Sequence, residues 1–381
     1  MIRRALIPRT LIPRTLIRRA LLAAGLLALA TLLRPAKGVA PVPDDCRTVG
    51  VTAGGRRLVG IEDIALDPGR GQALLSAHDR RADPGKAGGG LFLLDRAALE
   101  KAAAGAAVVE ARDLAAAVPE GVFRPHGIDL RAEPDGGRSV LAVNRRADGT
   151  AVVERFALEG GRLLHRGTVA GPALCRANDV AFLDGDRFLF TSSHGGCGWG
   201  DVLRENVLGR RHGFVGLVEG PVGAETVHRL AGGIGFANGI LPVPAADRLY
   251  VAATRERALL VYRLSALLAG GAGPEPEPER VPTPGGPDNL SAAPDGGVLM
   301  ALHPSLPRLA LHRYGWPGGG RAPSRVARLG PEGLSVLVDE DGRRFSAATV
   351  AVAWAGRLLM GSVTADGLLL CGASASAATR S

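Results

Sequence analysis

The sequence predicts an all-β chain folded as a six-bladed β-propeller, and three observations carry that reading. A hairpin pattern of short apolar strand, turn rich in Asp, Gly or Pro, and second apolar strand occurs six times. Its copies begin at residues 62, 126, 178, 238, 288 and 348, and the intervals of 50 to 64 residues each suit one four-stranded blade. Helical periodicity is weak throughout.

In chain order, Glu62 and Asp63 lead into "IALDPGRGQALLSAH", His126 and Gly127 into "IDLRAEPDGGRSVLAVN", and Asn178 and Asp179 into "VAFLDGDRFLFTSSH". Asn238 and Gly239 lead into "ILPVPAADRLYVAAT", Asp288 and Asn289 into "LSAAPDGGVLMALHP", and a degenerate sixth copy, "TVAVAWAGRLLMGSV", begins near Ala348. The helix formers in "LDRAALEKAAAGAAVVEARDL" and "LLVYRLSALLAG" read as excursions between strands. The Pro-rich "GPEPEPERVPTPGGP", residues 273 to 287, reads as a connector because it denies the backbone its donors. "DEDG", residues 339 to 342, lacks the remaining EF-hand spacing and reads as a hairpin turn.

Mean hydropathy of +0.13 and 46% hydrophobic residues over 381 positions support a real core rather than disorder. The net charge of +9 is misleading about partners. Residues 1 to 40 hold eight basic and no acidic side chains, leaving 38 basic against 37 acidic in residues 41 to 381, so no nucleic-acid-binding surplus remains. The same first 40 residues read as an Arg-rich start, a 14-residue apolar run from Ala20 to Leu33 and a small-residue stretch ending at Gly38, Val39 and Ala40. That order is the order of a secretory signal, and the run is short for a membrane span. Arg34 and the duplicated "LIPRT" keep an uncleaved membrane anchor over residues 16 to 33 as the alternative. The expected organisation is a signal or anchor over 1–40 and a single propeller over 41–381, exported to a secreted or periplasmic location.

Export makes the cysteines interpretable. A bridge between Cys46 and Cys371 would tie the two ends of the domain together, while Cys175 and Cys197 either form a second bridge or stay free. No Cys pair or Cys/His cluster has zinc spacing. The sequence also lacks GxSxG, HExxH and GxxxxGK[ST], so serine-hydrolase, zinc-protease and P-loop chemistry have no motif.

In a propeller the innermost strands run along a central channel, so equivalent residues of each repeat converge. Glu62, Asn178, Asn238, Asp288 and Asn289 would then meet as an all-oxygen set of two carboxylates and three amides, which suits calcium. A single Asn or Asp pair more often serves a turn, and recurrence at the blade period is what favours the metal reading. Asn289 also begins the glycosylation sequon "NLS", which a channel position could not use. His126, His194 and His303 fall at the ends of inner strands and form an expected channel-mouth cluster.

The stretches "GIEDIALDP", "RPHGIDL", "ANDVAFL", "FANGI", "GPDNLSAAPDG", "ALHP" and "LLMGSVTADGLLLCG" are similar, in order and rough spacing, to those of the paraoxonase and arylesterase family of calcium-dependent six-bladed propellers. The resemblance covers roughly residues 46 to 373. It implies two calcium ions: a catalytic one held by Glu62, Asn178, Asn238, Asp288 and Asn289, and a structural one held by Asp63, Asp179 and the backbone carbonyl of Ile128. It further implies His126 as general base, His194 and His303 as active-site histidines, and the bridge between Cys46 and Cys371. The family's mammalian members place a second histidine behind the base; here the matching position, in "LAVNRRADG", is Arg145. A cation there disfavours protonated His126.

The resemblance implies hydrolysis of lactones or aryl esters, in which calcium polarises the carbonyl and a base activates water, without a nucleophilic serine. Two alternatives share the fold. A sugar-lactone hydrolase of the gluconolactonase type would need a more polar pocket, and a non-catalytic propeller serving as a binding module would have lost its ligand set.

Overall fold

Each hairpin pattern becomes the inner pair of an antiparallel sheet in the computed structural model, which describes residues 45–82, 88–119, 121–269 and 275–372. The expected signal or anchor lies outside the described residues. Within the described residues, which fall in the unit Val39–Ser381, no helix is long and apolar enough to cross a membrane. Six sheets form, and their innermost strands are Ile61–Asp67, Pro125–Ala132, Ala177–Phe182, Ala237–Val243, Gly286–Ala292 and Ala348–Trp354. Each packs against the next and the sixth against the first, which closes the ring.

The sheets pack face to face because both faces of the middle strands are apolar. Val215 and Leu217 of the third blade meet Leu249, Val251 and Leu260 of the fourth in one buried cluster. Each such side chain contributes about 1.5 to 3 kcal/mol on burial. Aspartates on three consecutive inner strands add polar ties between blades. Asp63 Oδ2 accepts from Ile128 N at 2.8 Å, Asp129 Oδ2 from Phe182 N at 2.7 Å and Asp179 Oδ2 from Ile240 N at 2.9 Å.

The sixth blade is built from both ends of the domain. Strand Arg47–Ala53 pairs antiparallel with Leu368–Cys371, with Arg47 opposite Leu370, and the Cys46–Cys371 disulfide closes that seam. Cys175 and Cys197 form the second bridge.

Two local expectations are corrected. The Pro-rich segment is not all connector: Glu279–Pro282 is the outermost strand of the fourth blade, paired only with Ala258–Arg263, so a proline at its end costs no inner ladder bond. "DEDG" is not a hairpin turn, since Asp339 and Glu340 end strand Gly333–Glu340 and Glu340 then caps the chain leaving the blade, accepting from Gly342 N at 2.6 Å and Arg344 N at 2.8 Å. The helix-forming excursions resolve into helices Arg96–Ala103 and Leu264–Leu268, with "VYR" of the second segment belonging to a strand.

Candidate active site

All six inner strands are irregular at the same point, where their polar pairs stand. The ladder register shifts between Ile61 and Asp63, Pro125 and Ile128, Ala177 and Val180, Ala237 and Ile240, Pro287 and Leu290, and Ala348 and Val350. In a regular strand neighbouring side chains point to opposite faces, and a bulge re-aims them. This is why two consecutive polar residues can serve the channel. Where the second member is glycine, the next strand fills the space a side chain would need: a Cβ on Gly239 would stand 2.4 Å from the carbonyl oxygen of Asp288.

The result is a cavity of about 370 Å³ lined by one residue from every inner strand: Glu62, His126, Asn178, Asn238, Asp288 and Thr349. Asn289 stands beside it, its Nδ2 donating to the carbonyl oxygen of Glu62 at 3.1 Å. The other amides are oriented in the same way, Asn178 Nδ2 donating to Ser193 Oγ at 2.8 Å and Asn238 Nδ2 to Thr254 Oγ1 at 3.2 Å. Each amide thereby spends its donors on protein and leaves its oxygen free. Asn178 Oδ1, Asn238 Oδ1, Asn289 Oδ1 and Glu62 Oε2 are all buried without a hydrogen-bond partner.

Leaving four buried acceptors unmatched costs about 1 to 3 kcal/mol each, so their presence in one place calls for a ligand. Among the described residues no group of three or more His, Cys, Asp or Glu side chains stands at metal-holding geometry. The argument therefore rests on the amide oxygens. Uncharged hard oxygens with two carboxylates fit a hard divalent cation and no soft metal.

The second expected set is also brought together, differently. Asp63 and Asp179 are buried, and each already accepts backbone amides at both oxygens, Asp63 from Ile64 and Ile128 and Asp179 from Val180 and Ile240. The contact from Ile128 to Asp63 is through its N–H. Burial first, and then the charge of a neighbouring carboxylate, hold both well above the usual carboxylate range. Burial likewise pushes Glu62 up to about 7, with Arg80 pulling the other way and Asp288 adding to the push.

The three histidines separate. His303 lines the cavity, its Nε2 stands 2.6 Å from Asp288 Oδ2, and its Nδ1 is buried without a partner. His126 lines the cavity too, but Arg80 Nη2 lies 2.8 Å from its Nδ1. Glu62 Oε2 lies 3.2 Å from the same Nδ1, so that nitrogen stands between a donor and an acceptor. Burial, followed by Arg145 and Arg80, holds His126 well below its ordinary pKa. His194 is not among the lining residues: its Nδ1 is 3.0 Å from Glu205 Oε2, and its ring stands edge-on to Phe236, which does line the cavity.

Several lining residues had no sequence signal. Leu306, Leu309, Ala310 and Arg313 come from helix Leu306–Arg313, and Asn206 from helix Trp199–Leu208, both in insertions between strands. Thr349 belongs to the degenerate sixth copy, where its hydroxyl donates to the carbonyl oxygen of Glu62 at 2.7 Å. Arg80, which is not in the lining but touches His126, follows the second strand of the first blade, and nothing in "HDRR" marks it.

A family model described as Arylesterase matches residues 82–372. Serum paraoxonase/arylesterase 1 of Mus musculus is 26% identical over 249 residues, which is 63% of this chain and 66% of that protein, just under two thirds of its length. Among solved structures, a gluconolactonase of Xanthomonas campestris superposes with a TM-score of 0.51 at 14% identity, covering 89% of this chain and 98% of that one, a likeness of fold.

Proposed function

Because this chain belongs to the arylesterase family, we propose that it is an exported, calcium-dependent hydrolase of carboxylic esters that acts on lactones and aryl esters. The observation that carries the proposal is the set of four unmatched buried oxygens, on Glu62, Asn178 and Asn238 in the cavity lining and on Asn289 beside it. With Asp288 they would hold the catalytic calcium, and when bound that ion would polarise the substrate carbonyl and favour the developing oxyanion. A second, structural ion at Asp63, Asp179 and Ile128 is supported by the like-charge repulsion between the two buried carboxylates. Two disulfides support export to an oxidising compartment.

Phe236, Leu306, Leu309 and Val363 add apolar surface to the cavity lining. That surface favours substrates with a hydrophobic portion over sugar lactones, whose hydroxyls it would strip of water without replacement. Turnover of an aliphatic lactone, a sugar lactone and an aryl ester by purified protein, with and without chelator, tests the reading. Aliphatic and aryl turnover lost on chelation is expected; turnover of the sugar lactone alone would favour the gluconolactonase type, and turnover of none would favour a binding module.

We assign the general base to His303. Asp288 orients its ring through Nε2, leaving Nδ1 to take the proton of the attacking water, whereas the Nδ1 of His126 is already held between Arg80 Nη2 and Glu62 Oε2. His303→Gln is expected to cost roughly a hundredfold to ten-thousandfold in kcat, and His126→Gln less than about tenfold. Calcium affinity is measured for both variants. The reverse order of losses would return the base to His126, and a loss of affinity matching the loss of turnover in His303→Gln would reduce His303 to a positioning residue for Asp288.

A further inference from the structure

Phe236 stands in a backbone conformation that does not suit it. Its φ is 67°, and a bulky residue in that region is strained. Two other blades adopt the same conformation at the equivalent place, two residues before the side chain that lines the cavity, and fill it with the smallest residues. Gly60 precedes Glu62 with φ 68°, and Ala347 precedes Thr349 with φ 55°. The fourth blade puts an aromatic ring there, two residues before Asn238, and that ring lines the cavity.

The strain is held in place from a neighbouring turn. Thr254 N donates to the carbonyl oxygen of Phe236 at 3.1 Å, Arg255 N to that of Gly235 at 3.0 Å, and Gly235 N to Glu256 Oε1 at 2.6 Å. These bonds fix the backbone, and the buried ring of His194 braces the side chain. The two rings meet edge-on, with centroids 5.3 Å apart and planes at 89°.

His194 is itself clamped. Its Nδ1 is 3.0 Å from Glu205 Oε2, while Glu205 Oε1 accepts from Gly195 N at 3.0 Å. The loop that carries it is fastened on both sides, by Ser193 N donating to the carbonyl oxygen of Arg176 at 3.0 Å and by the Cys175–Cys197 disulfide. Arg255 joins the clamp to the turn that holds Phe236, its Nη1 donating to the carbonyl oxygen of Glu205 at 2.7 Å. A histidine that moved protons for the reaction would have to reach the cavity, and His194 does not line it.

We infer that His194 is a positioning residue rather than a catalytic one: with Glu205 it braces the Phe236 ring against the hydrophobic portion of the substrate and so sets the affinity for that portion. The inference rests on the hydrolase reading above and adds what selects the substrate. A ring already held in one orientation offers its contact area without the ordering that a free side chain would undergo on binding.

The test compares phenyl acetate with γ-butyrolactone, which has no hydrophobic appendage, on the full-length calcium-loaded protein. His194→Ala is expected to raise KM for phenyl acetate about tenfold, the usual order for a lost aromatic contact, with kcat and the KM for γ-butyrolactone within about threefold of wild type. Phe236→Ala should do the same, and the double variant should match Phe236→Ala to within about twofold, because the histidine acts only through the ring. Glu205→Gln, which keeps an acceptor oxygen, should raise KM less than Glu205→Ala; where His194→Ala does not fold, equal effects of these two overturn the inference. It is also overturned, while the hydrolase reading survives, if His194→Ala lowers kcat more than about tenfold on both substrates, raises KM equally for both, or adds fully to Phe236→Ala. If neither substrate is cleaved, the hydrolase reading fails and binding decides. Acetanilide should then bind the wild type at least about tenfold more tightly than His194→Ala by calorimetry, and equal binding overturns the inference.

Discussion

Asp288→Ala is expected to abolish turnover, by on the order of a thousandfold or more, while leaving the fold intact. Two roles are lost at once: the carboxylate that would share the calcium, worth several kcal/mol of transition-state stabilisation, and the acceptor 2.6 Å from His303 Nε2 that orients the ring. The side chain makes no interblade tie comparable to those of Asp63 and Asp179. Asp179→Ala is accordingly expected to lower the melting temperature more than Asp288→Ala does, since it breaks the bond from Ile240 N that joins the third and fourth blades, together with the local one from Val180 N. Melting curves and kcat for the two variants check this together. A well-folded Asp288→Ala protein that keeps more than about a tenth of its turnover would remove Asp288 from the chemistry.

Loss of the Cys46–Cys371 bridge carries the largest expected effect on stability. It closes a loop of 325 residues, for which the chain-entropy relation gives about 6 kcal/mol as an upper bound. The ladder it reinforces is short: strand Arg47–Ala53 meets Leu368–Cys371 through the pairs Arg47 with Leu370, Thr48 with Leu369 and Val49 with Leu368. Cys46→Ser with Cys371→Ser should therefore lower the melting temperature by roughly 10 °C. The released strand should show faster amide exchange than the inner strands. Unchanged melting would show that the ladder alone closes the ring.

The ring itself was legible because its signal is periodic. Six hairpin patterns at blade spacing place the inner strands to within a residue or two, and the first member of each polar pair lines one cavity. The bulge that lets both members of a pair serve the channel has no sequence signature, since it depends on the register between two strands. The outer strands were harder to read. Glu279–Pro282 sits at a blade edge where half its backbone groups need no partner, so a Pro-rich composition that argues against a strand is tolerated there.

The site divides along the same line. Ligand candidates recur with the repeat and could be found from it, whereas Arg80, Arg313 and Glu205 come from single insertions or turns and occur once. His194 shows the cost of reading position alone. It stands two residues beyond strand Phe188–Ser192, yet the buried carboxylate of Glu205 on the following helix holds it behind Phe236. Arg145 was visible as a departure at its position, and the fold sets its backbone N–H on the carbonyl oxygen of Arg124, two residues before His126.

The central claim is that the unmatched oxygens on Glu62, Asn178, Asn238 and Asn289 hold a calcium ion on which hydrolysis depends. Calorimetric titration of exhaustively chelated protein with calcium, with lactone turnover followed on the same samples, tests it most directly. Turnover should return in proportion to occupancy of a tight site, and Asn178→Ala and Asn238→Ala should each weaken binding by at least about tenfold and shift the recovery of turnover to match. Full turnover before any calcium binds, or calcium affinity indifferent to both substitutions, would contradict the account.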